Sequence, residues 1–576
     1  MSDRVRHENS RTTVGELVAA FLERCGVRAA FGVISIHNMP ILDAFGRRAA
    51  AAKSNGEPAP IHFVPARSEP GAVNMADAYA RVSGGIGVAV TSTGTAAGNA
   101  CGAMVEALTA GTPVVHLTGQ IEVPYLDRDL AYIHEATDQL EMLRAVSKAA
   151  FRVRSAETAL GTLREAVRVA LTAPRGPVSI EIPIDIQAAE IELPASLEPA
   201  AIAVSKPRAE ELDALAGRLA RSKRPLLWLG GGSRHATDAV LRLIDLGFGI
   251  VTSVQGRGVV AEDHPMSLGA FNLFEPVEKF YASCDAMLIA GSRLRSNETL
   301  TYKLKLPRPL YRIDADPLQQ GRCYTDDLFV VGDSAAALAG LAERLKGRLK
   351  PDPAFARDLA AARQAAEKLV RAGLGPYERL LTELQQAAGR DYVWVRDVTV
   401  SNSTWGNRSL RIFGPRDGVH ALGGGIGQGV QMAIGAAIAE AIAGGASPAA
   451  RGRKTLCLVG DGGLQVNIGE LATLVQEKAD VAVILMNDGG YGVIRNIQDA
   501  YYGGRRYYSD LHTPDFSGLA RSLALPHQRV RDLSRVGDTL REALAQAGPV
   551  MIEIDMTAIG PFAKQFAGPP IRKAHA

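Results

Sequence analysis

Two acidic residues, Asp461 and Asp488, each follow a short apolar run and stand in a glycine-rich turn. Asp461 belongs to Gly460-Asp461-Gly462-Gly463 after the run at 455–459, and Asp488 belongs to Asn487-Asp488-Gly489-Gly490 after the run at 481–486. Each run predicts a buried strand, and open α/β sheets bind ligands where their strands end. Glycines let backbone N–H groups approach phosphate oxygens, and carboxylates suit Mg²⁺. The pair therefore predicts a metal-bound diphosphate.

The spacing of the two aspartates separates this interpretation from ordinary turns. They are 27 positions apart, which fits one helix, predicted over 467–477, and one return strand. Both turns would then lie at the same edge of a sheet. Either turn alone is more often a plain connection between elements, so the metal site depends on finding both at this distance.

Composition limits the class of protein. The chain has 576 residues, 47% hydrophobic and 22% charged, with a net charge of +3 and no dense Lys/Arg run, which argues against a nucleic-acid partner. No apolar stretch is long enough to span a bilayer, and the polar start at 1–13 lacks an apolar signal region. The five scattered cysteines fit a reduced, cytoplasmic compartment and no zinc site.

Helical periodicity alternates with short β-rich runs along the chain, which is typical of α/β domains with parallel sheets. Strands are predicted at 29–32, 225–229, 287–291 and 310–313, and a capped amphipathic helix begins at Thr13. Stretches with little periodicity at 190–208 and 346–353 predict boundaries between three units.

The two glycine-rich turns resemble the diphosphate-binding motif of the thiamine-diphosphate decarboxylase and acetolactate synthase family. The resemblance covers nearly the whole chain and is strongest to acetolactate synthase large subunits. It implies three α/β domains with mainly parallel sheets flanked by helices. They are a pyrimidine-binding domain at 1–189, a Rossmann-like central domain at 207–347 and a diphosphate-binding domain at 375–560, followed by a tail at 561–576.

The resemblance also implies the ligands of the cofactor, thiamine diphosphate, and of Mg²⁺. The metal ligands would be Asp461, Asp488 and the backbone carbonyl of Gly490. Relatives usually end the motif with Asn-Asn, whereas this chain has Asn487-Asp488, a variant similar to catabolic acetolactate synthases. The other cofactor-binding residues expected in the two turns are Gly460, Gly462, Gly463, Tyr491, Gly492 and Val493.

Two further segments match parts of the family pattern. Residues 67–72 and 76–81 resemble HEQGA…ADGYAR, which makes Glu69 the glutamate that activates the cofactor. The alternative is an acidic residue favoured by a helix start.

The loop at 423–429 resembles the segment that bends the cofactor, with Ile426 between its rings and Gly424 as a carbonyl acceptor. The alternative there is a glycine-rich loop before a packed helix.

Histidines provide candidate proton carriers, because their pKa lies near neutral pH. His37 and His134 fall where relatives place substrate-facing residues, so both are candidate catalytic residues, with a structural role as the alternative. His116 lies within a predicted strand and is expected to be structural. Lys148 matches a lysine of acetolactate synthases, but a solvated side chain is expected.

The activity implied is decarboxylation of a 2-oxoacid followed by carboligation of the enamine to an acceptor carbonyl. Ile494 replaces a glutamate of pyruvate decarboxylases, and Ile497 replaces a tryptophan of biosynthetic synthases. Losing the acid favours ligation over protonation. The alternatives are a decarboxylase or C–C lyase that releases an aldehyde, and a non-catalytic regulatory protein.

The implied partners are small molecules and further copies of the chain. In the family Glu69 serves cofactor held by another subunit, so a homodimer or homotetramer is expected. Flavin-containing relatives have an acidic pair after the strand at 287–291, and the segment at 292–297 retains Arg293 without that pair. FAD therefore remains an alternative cofactor that the sequence does not favour.

Overall fold

Three parallel β-sheets organise the protein, for which a computed structural model describes residues 11–445 and 452–568. The chain forms two compact units. One contains the described residues of Met1–Ala203, Gln431–Gly452 and Asn467–Ala479, and the other those of Val204–Val430, Arg453–Val466 and Asp480–Ala576. The predicted α/β fold class with parallel sheets flanked by helices is confirmed.

The first sheet has six parallel strands in the order β3-β2-β4-β5-β7-β6, and β1 pairs with β8 antiparallel beside it. The strands are β1 (Arg11–Thr13), β2 (Ala29–Gly32), β3 (His62–Pro65), β4 (Gly87–Thr91), β5 (Val114–Gln120), β6 (Ala149–Arg152), β7 (Val178–Pro183) and β8 (Glu190–Glu192). The helices are α1 (Val14–Arg24), α2 (Met39–Ser54), α3 (Glu69–Ser83), α4 (Thr95–Ala110), α5 (Gln139–Val146), α6 (Ala159–Leu171) and α7 (Ile184–Ala188). Thr13 caps α1 as predicted, because its hydroxyl accepts the Glu16 N–H at 3.2 Å.

The second sheet has five parallel strands in the order β10-β9-β11-β12-β13. They are β9 (Pro225–Leu229), β10 (Gly249–Thr252), β11 (Ala286–Ala290), β12 (Leu310–Asp314) and β13 (Leu328–Val331). Its helices are α8 (Ala209–Leu219), α9 (Thr237–Asp245), α10 (Glu275–Tyr281), α11 (Ser334–Leu345) and α12 (Phe355–Leu374). The strands predicted at 225–229, 287–291 and 310–313 are confirmed within a residue at each end.

The third sheet has six parallel strands in the order β15-β14-β16-β17-β19-β18. They are β14 (Tyr392–Arg396), β15 (Gly418–His420), β16 (Lys454–Gly460), β17 (Val481–Asn487), β18 (His527–Val530) and β19 (Val550–Asp555). The helices that precede, connect or follow these strands are α13 (Tyr377–Ala388), α14 (Gly429–Ala443), α15 (Asp461–Val466), α16 (Glu470–Gln476), α17 (Gly492–Tyr501), α18 (Phe516–Ser522), α19 (Val536–Ala545) and α20 (Met556–Ile559). Since β16 and β17 are parallel neighbours, their carboxyl ends lie side by side.

The connection between β16 and β17 differs from the single helix predicted over 467–477. Helix α15 begins at Asp461, directly after β16, and α16 follows as a separate helix packed in the first compact unit. Gly462 allows this immediate entry, because a β-carbon there would lie 2.8 Å from the Tyr491 ring.

The structure describes only part of each end of the chain. Phe562, in the described part of the predicted tail, packs on Tyr377 with ring centroids 4.5 Å apart. Residues 569–576 of that tail, and 1–10 of the polar start, lie outside the described residues. Among the residues that are described, every helix is too short or too polar to cross a bilayer.

Candidate functional site

Asp461 and Asp488 lie next to each other at the carboxyl ends of β16 and β17. The backbone N–H of Asp488 donates to Asp461 Oδ1 at 3.2 Å. The other oxygen of Asp461, Oδ2, is buried without a hydrogen-bond partner among the described residues. Arg495 Nη2 lies 3.0 Å from Asp488 Oδ1. The register of the two strands thus brings together two carboxylates that are 27 positions apart in sequence.

The electrostatics of this pair favour a bound cation. Burial, and then the neighbouring Asp461 carboxylate, raise the pKa of Asp488 to about 7. Burial also raises the pKa of Asp461. Arg495 opposes the shift of the Asp488 pKa but does not cancel it, so a further positive charge beside the two carboxylates would favour their ionised forms. The Asp461 Oδ2 atom, which has no hydrogen-bond partner among the described residues, is a candidate ligand, and carboxylate oxygens fit Mg²⁺, which binds few protein groups together with phosphate oxygens.

Glycines clear the space around the aspartates. A β-carbon on Gly492 would overlap Asp488 Oδ2, and one on Gly490, whose φ is +157°, would overlap the Ser509 carbonyl oxygen. Tyr491 is tied to the same residue, since its N–H donates to the Ser509 carbonyl at 2.8 Å. The two turns that contain the predicted cofactor residues approach each other closely, because a β-carbon on Gly462 would lie 2.8 Å from the Tyr491 ring and 3.2 Å from the Gly490 carbonyl oxygen.

A buried carboxylate that the sequence did not single out fixes the glycine-rich loop at 423–429. Asp397 follows β14 and is fully buried. Its Oδ1 accepts the Val398 N–H at 2.7 Å, and Gly427 N lies 3.1 and 3.0 Å from its two oxygens. Burial raises the pKa of Asp397 to about 6, and these amide donors oppose the shift. A β-carbon on Gly463 would lie 2.9 Å from Asp397 Oδ2, so the loop and the Asp461 turn converge here.

The loop presents the residues predicted to shape the cofactor. Gly424 has φ +84° and faces open space, because a β-carbon there would meet no other atom within 4 Å. The Ile426 side chain is 37% exposed although it is apolar. An apolar side chain held at the surface by a loop whose backbone is anchored at Gly427 is suited to contact an apolar ring.

In the first unit, Glu69 is the first residue of α3. Ser68 caps this helix through a 3.1 Å hydrogen bond from the Gly71 N–H. Asn99 on α4 donates its Nδ2 to Glu69 Oε2 at 3.2 Å. Asn99 therefore orients one oxygen of the carboxylate, and no pattern in the sequence pointed to it.

His37 and His134 lie together at the carboxyl edge of the first sheet, with ring centroids 5.1 Å apart at 74°. Burial, and then the charge of His134, lower the pKa of His37, and Glu122 opposes this shift. Close glycines allow the approach, because a β-carbon on Gly119 would lie 2.7 Å from His37 Cβ and one on Gly94 would overlap the His134 carbonyl oxygen. His134 has φ +68°, a strained conformation for a side-chain-bearing residue. The two predicted histidines thus form one strained pair.

Family profiles match three parts of the chain. Residues 12–142 match the N-terminal TPP binding domain of thiamine pyrophosphate enzymes, residues 212–341 their central domain, and residues 399–554 their C-terminal TPP binding domain. Together these segments cover most of the sequence. The chain belongs to the thiamine pyrophosphate enzymes. The predicted family, cofactor and enzymatic nature are confirmed.

Curated relatives align over almost the full length of this thiamine pyrophosphate enzyme. A probable acetolactate synthase large subunit of Methanocaldococcus jannaschii is 26% identical over 94% of this chain and 91% of the relative. A probable 2-ketoarginine decarboxylase of Pseudomonas aeruginosa is 29% identical over 94% of each chain. An acetolactate synthase large subunit of Mycobacterium tuberculosis is 28% identical over 94% of this chain and 87% of the relative.

Two other polar residues of this thiamine pyrophosphate enzyme are structural in the fold. His116 is buried in β5, where its ring nitrogen lies 2.8 Å from the Thr91 hydroxyl, and burial lowers its pKa to about 4. Lys148, expected to be solvated, instead donates to the carbonyls of Val169 and Thr172 at 2.7 Å each. Lysines satisfy the last carbonyls of a helix in this way, here at the end of α6.

Proposed function

We propose that this enzyme decarboxylates a 2-oxoacid and transfers the remaining acyl-anion equivalent to an acceptor carbonyl, as an acetolactate synthase does. The observation that carries the proposal is the Asp461–Asp488 pair at adjoining strand ends, in a chain that aligns with acetolactate synthases over 94% of its length. When bound, thiamine diphosphate supplies a nucleophilic carbon that adds to the 2-oxo group and stores the electron pair released with CO₂.

The third sheet is proposed to hold the metal and the diphosphate. Asp461 Oδ2, the Asp488 carboxylate and the Gly490 carbonyl are the proposed Mg²⁺ ligands. The glycines at 460, 462, 463 and 492, with Tyr491 and Val493, are proposed to border the diphosphate. A divalent cation between Asp461 and Asp488 would offset their mutual repulsion and keep both ionised at neutral pH.

Glu69 is proposed to exchange the proton that activates the cofactor. Asn99 donates to Oε2, which leaves Oε1 as the oxygen that we assign to this proton transfer. A fixed carboxylate is effective because general acid–base catalysis requires hydrogen-bond distance to the proton acceptor. Gly424 and Ile426 are proposed to contact the aminopyrimidine and to separate the two rings of the cofactor.

The histidine pair is proposed to bind and protonate the substrate. The pKa of His37 is lowered, so its ring is neutral near pH 7 and can accept a proton, while His134 is the more exposed partner. Two imidazoles 5.1 Å apart disfavour double protonation, and a neutral imidazole still donates one N–H to a carbonyl or carboxylate oxygen.

The fate of the carbanion is proposed to depend on α17. Ile494 lies in the first turn of α17, and its apolar side chain is 46% exposed. An isoleucine side chain has no acidic proton to transfer to the carbanion. Its presence here supports ligation of the carbanion to a second carbonyl. The second candidate function is decarboxylation with release of an aldehyde, favoured by the similarity to the probable 2-ketoarginine decarboxylase.

We further propose three domains at 1–189, 207–347 and 375–560, a homodimeric or homotetrameric assembly, and a cytoplasmic location. The first sheet lies between residues 29 and 183, the second between 225 and 331, and the third between 392 and 555. These limits support the domain boundaries.

The decisive experiment is a CO₂-release screen over a panel of 2-oxoacids, with and without an acceptor aldehyde or ketone, with products identified by mass spectrometry. We expect a hydroxyketone or 2-hydroxy-2-acyl acid as the main product. Free aldehyde as the main product would favour the decarboxylase instead. Glu69→Gln should abolish CO₂ release, whereas the exposed Glu57→Gln in the same unit should not. No turnover of any 2-oxoacid with bound cofactor would contradict both functions.

A further inference from the structure

A second glutamate of the first compact unit binds the segment that leads into Glu69. Glu470 is the first residue of α16 and is 1% exposed. Its Oε1 accepts the backbone N–H of Arg67 at 3.0 Å and the hydroxyl of Ser68 at 3.0 Å. Its Oε2 accepts the hydroxyl of Thr473 at 2.7 Å. Both oxygens of this buried carboxylate are therefore engaged, and two of the three donors immediately precede Glu69.

Ser68 extends this anchor to the other side of Glu69. Its hydroxyl donates to Glu470 and also accepts the Gly71 N–H at 3.1 Å as the cap of α3. Gly71 is needed for this geometry, because a β-carbon there would overlap the Glu470 carboxylate. Glu470 thus fixes Arg67 directly and Gly71 through Ser68, so the backbone is held on both sides of Glu69.

We propose that Glu470 is a positioning residue that sets the direction of the Glu69 carboxylate. The inference rests on the proposed role of Glu69 in activating the cofactor. Without the Glu470 charge, the Arg67 amide and the Ser68 hydroxyl lose their acceptor, and the start of α3 gains freedom. A misplacement of about 1 Å can cost about a hundredfold in a reaction that needs exact alignment.

The test compares Glu470→Gln with a matched control, Glu477→Gln. Glu477 directly follows α16, has a 7% exposed side chain and pairs with His62 of β3 at 2.7 Å. Its link to the Glu69 segment runs through the Gln476 side chain, which accepts from the Arg67 guanidinium and leaves the Arg67 backbone bound to Glu470. Amide exchange at Arg67 and Gly71 is measured in the full-length protein. The exchange of the thiazolium C2 proton of bound thiamine diphosphate with D₂O reports activation before any substrate is added.

We expect Glu470→Gln to increase amide exchange at Arg67 and Gly71 and to slow C2-proton exchange between about tenfold and about a hundredfold. Glu470→Gln should lower the temperature of thermal unfolding, because a buried acceptor is lost, but in the folded protein the Kd of the cofactor should stay near the wild-type value, and Glu470→Asp should recover part of the rate. Glu477→Gln should leave C2 exchange unchanged. In the double variant Glu69→Gln/Glu470→Gln, the rate should equal that of Glu69→Gln alone, because Glu470 acts through Glu69.

Ser68→Ala provides a second variant if Glu470→Gln folds poorly. It removes the hydrogen bonds of Ser68 to Glu470 and from Gly71 but keeps the Arg67 N–H bound to Glu470, so we expect a smaller decrease in C2 exchange in a folded protein. Wild-type C2 exchange in both Glu470→Gln and Ser68→Ala, or a further loss in the double variant, would overturn the positioning role while leaving the proposed function intact. Wild-type C2 exchange in Glu69→Gln would instead overturn the role of Glu69, and the inference with it.

Discussion

Replacing Asp397 by asparagine tests whether a buried carboxylate prepares the glycine-rich loop for the cofactor. The side chain keeps its shape, but one oxygen becomes an NH₂ group that cannot accept a hydrogen bond. At present the Gly427 N–H lies within 3.1 Å of both oxygens, and the Val398 N–H donates at 2.7 Å. At least one charged acceptor is lost from the loop that carries Gly424 and Ile426.

The magnitude follows from that lost acceptor. A hydrogen bond to a charged group contributes about 1.5–3 kcal/mol. Without this anchor the loop must be ordered when the cofactor binds, so this free energy is subtracted from binding. Since about 1.4 kcal/mol corresponds to a tenfold change in Kd, Asp397→Asn should raise the Kd of thiamine diphosphate between about tenfold and about 150-fold.

The pH dependence of the free energy of unfolding should also change in this variant. Burial raises the pKa of Asp397 from 3.8 to about 6 in the folded protein. Its contribution to stability is therefore complete below about pH 4 and is lost as the pH rises through about 6, a change of about 3 kcal/mol at about 1.36 kcal/mol per pKa unit. Asp397→Asn lacks this titration. Relative to the wild type, the free energy of unfolding of the variant should therefore increase between pH 4 and pH 7.

Calorimetric titration of thiamine diphosphate at saturating Mg²⁺ and urea unfolding at several pH values measure the two effects. Asp480→Asn is the control. Asp480 is a carboxylate that directly precedes β17, at the amino ends of the strands, and it is paired with Lys454 at 2.6 Å. It should leave cofactor affinity unchanged. An unchanged Kd in Asp397→Asn, or a Kd raised equally in both variants, would refute the reasoning.

The remaining predictions concern the proposed catalytic residues. Glu69→Gln should lower turnover about 10²–10⁴-fold while cofactor still binds by calorimetry; turnover near that of the wild type would contradict its role. Asp461→Asn should weaken Mg²⁺ binding by at least about tenfold in a metal titration, and equal affinity would argue for other ligands. His134→Asn removes a like charge and should raise the pKa of His37, which NMR titration and the acidic limb of the kcat/KM profile would detect as a shift to higher pH. Ile494→Glu should increase the ratio of free aldehyde to ligated product, and an unchanged ratio would remove Ile494 from the partition.

The sequence by itself determined the cofactor and the fold class, and it located the region that we propose as the metal site. These properties depend on local patterns: an apolar strand, an acid and glycines, repeated at a distance of 27 residues. Because parallel strands end at one edge of a sheet, such a pattern predicts that Asp461 and Asp488 meet without any knowledge of the other elements. The helix predicted over 467–477 contains α16, whereas α15, which begins at Asp461 itself, was not predicted, because periodicity does not detect so short a helix in a glycine-rich turn.

Only the tertiary structure identified Asp397, Asn99 and Glu470. Their partners are 30 residues away for Asp397 and Asn99, and about 400 residues away for Glu470. Acidic and amide residues are common along the chain, and no spacing marks these three. The roles of Asp397 and Glu470 arise from burial and from donors that folding brings to their oxygens, and that of the exposed Asn99 arises from its 3.2 Å hydrogen bond to Glu69. A hydrogen bond between distant segments leaves no periodic pattern in the sequence.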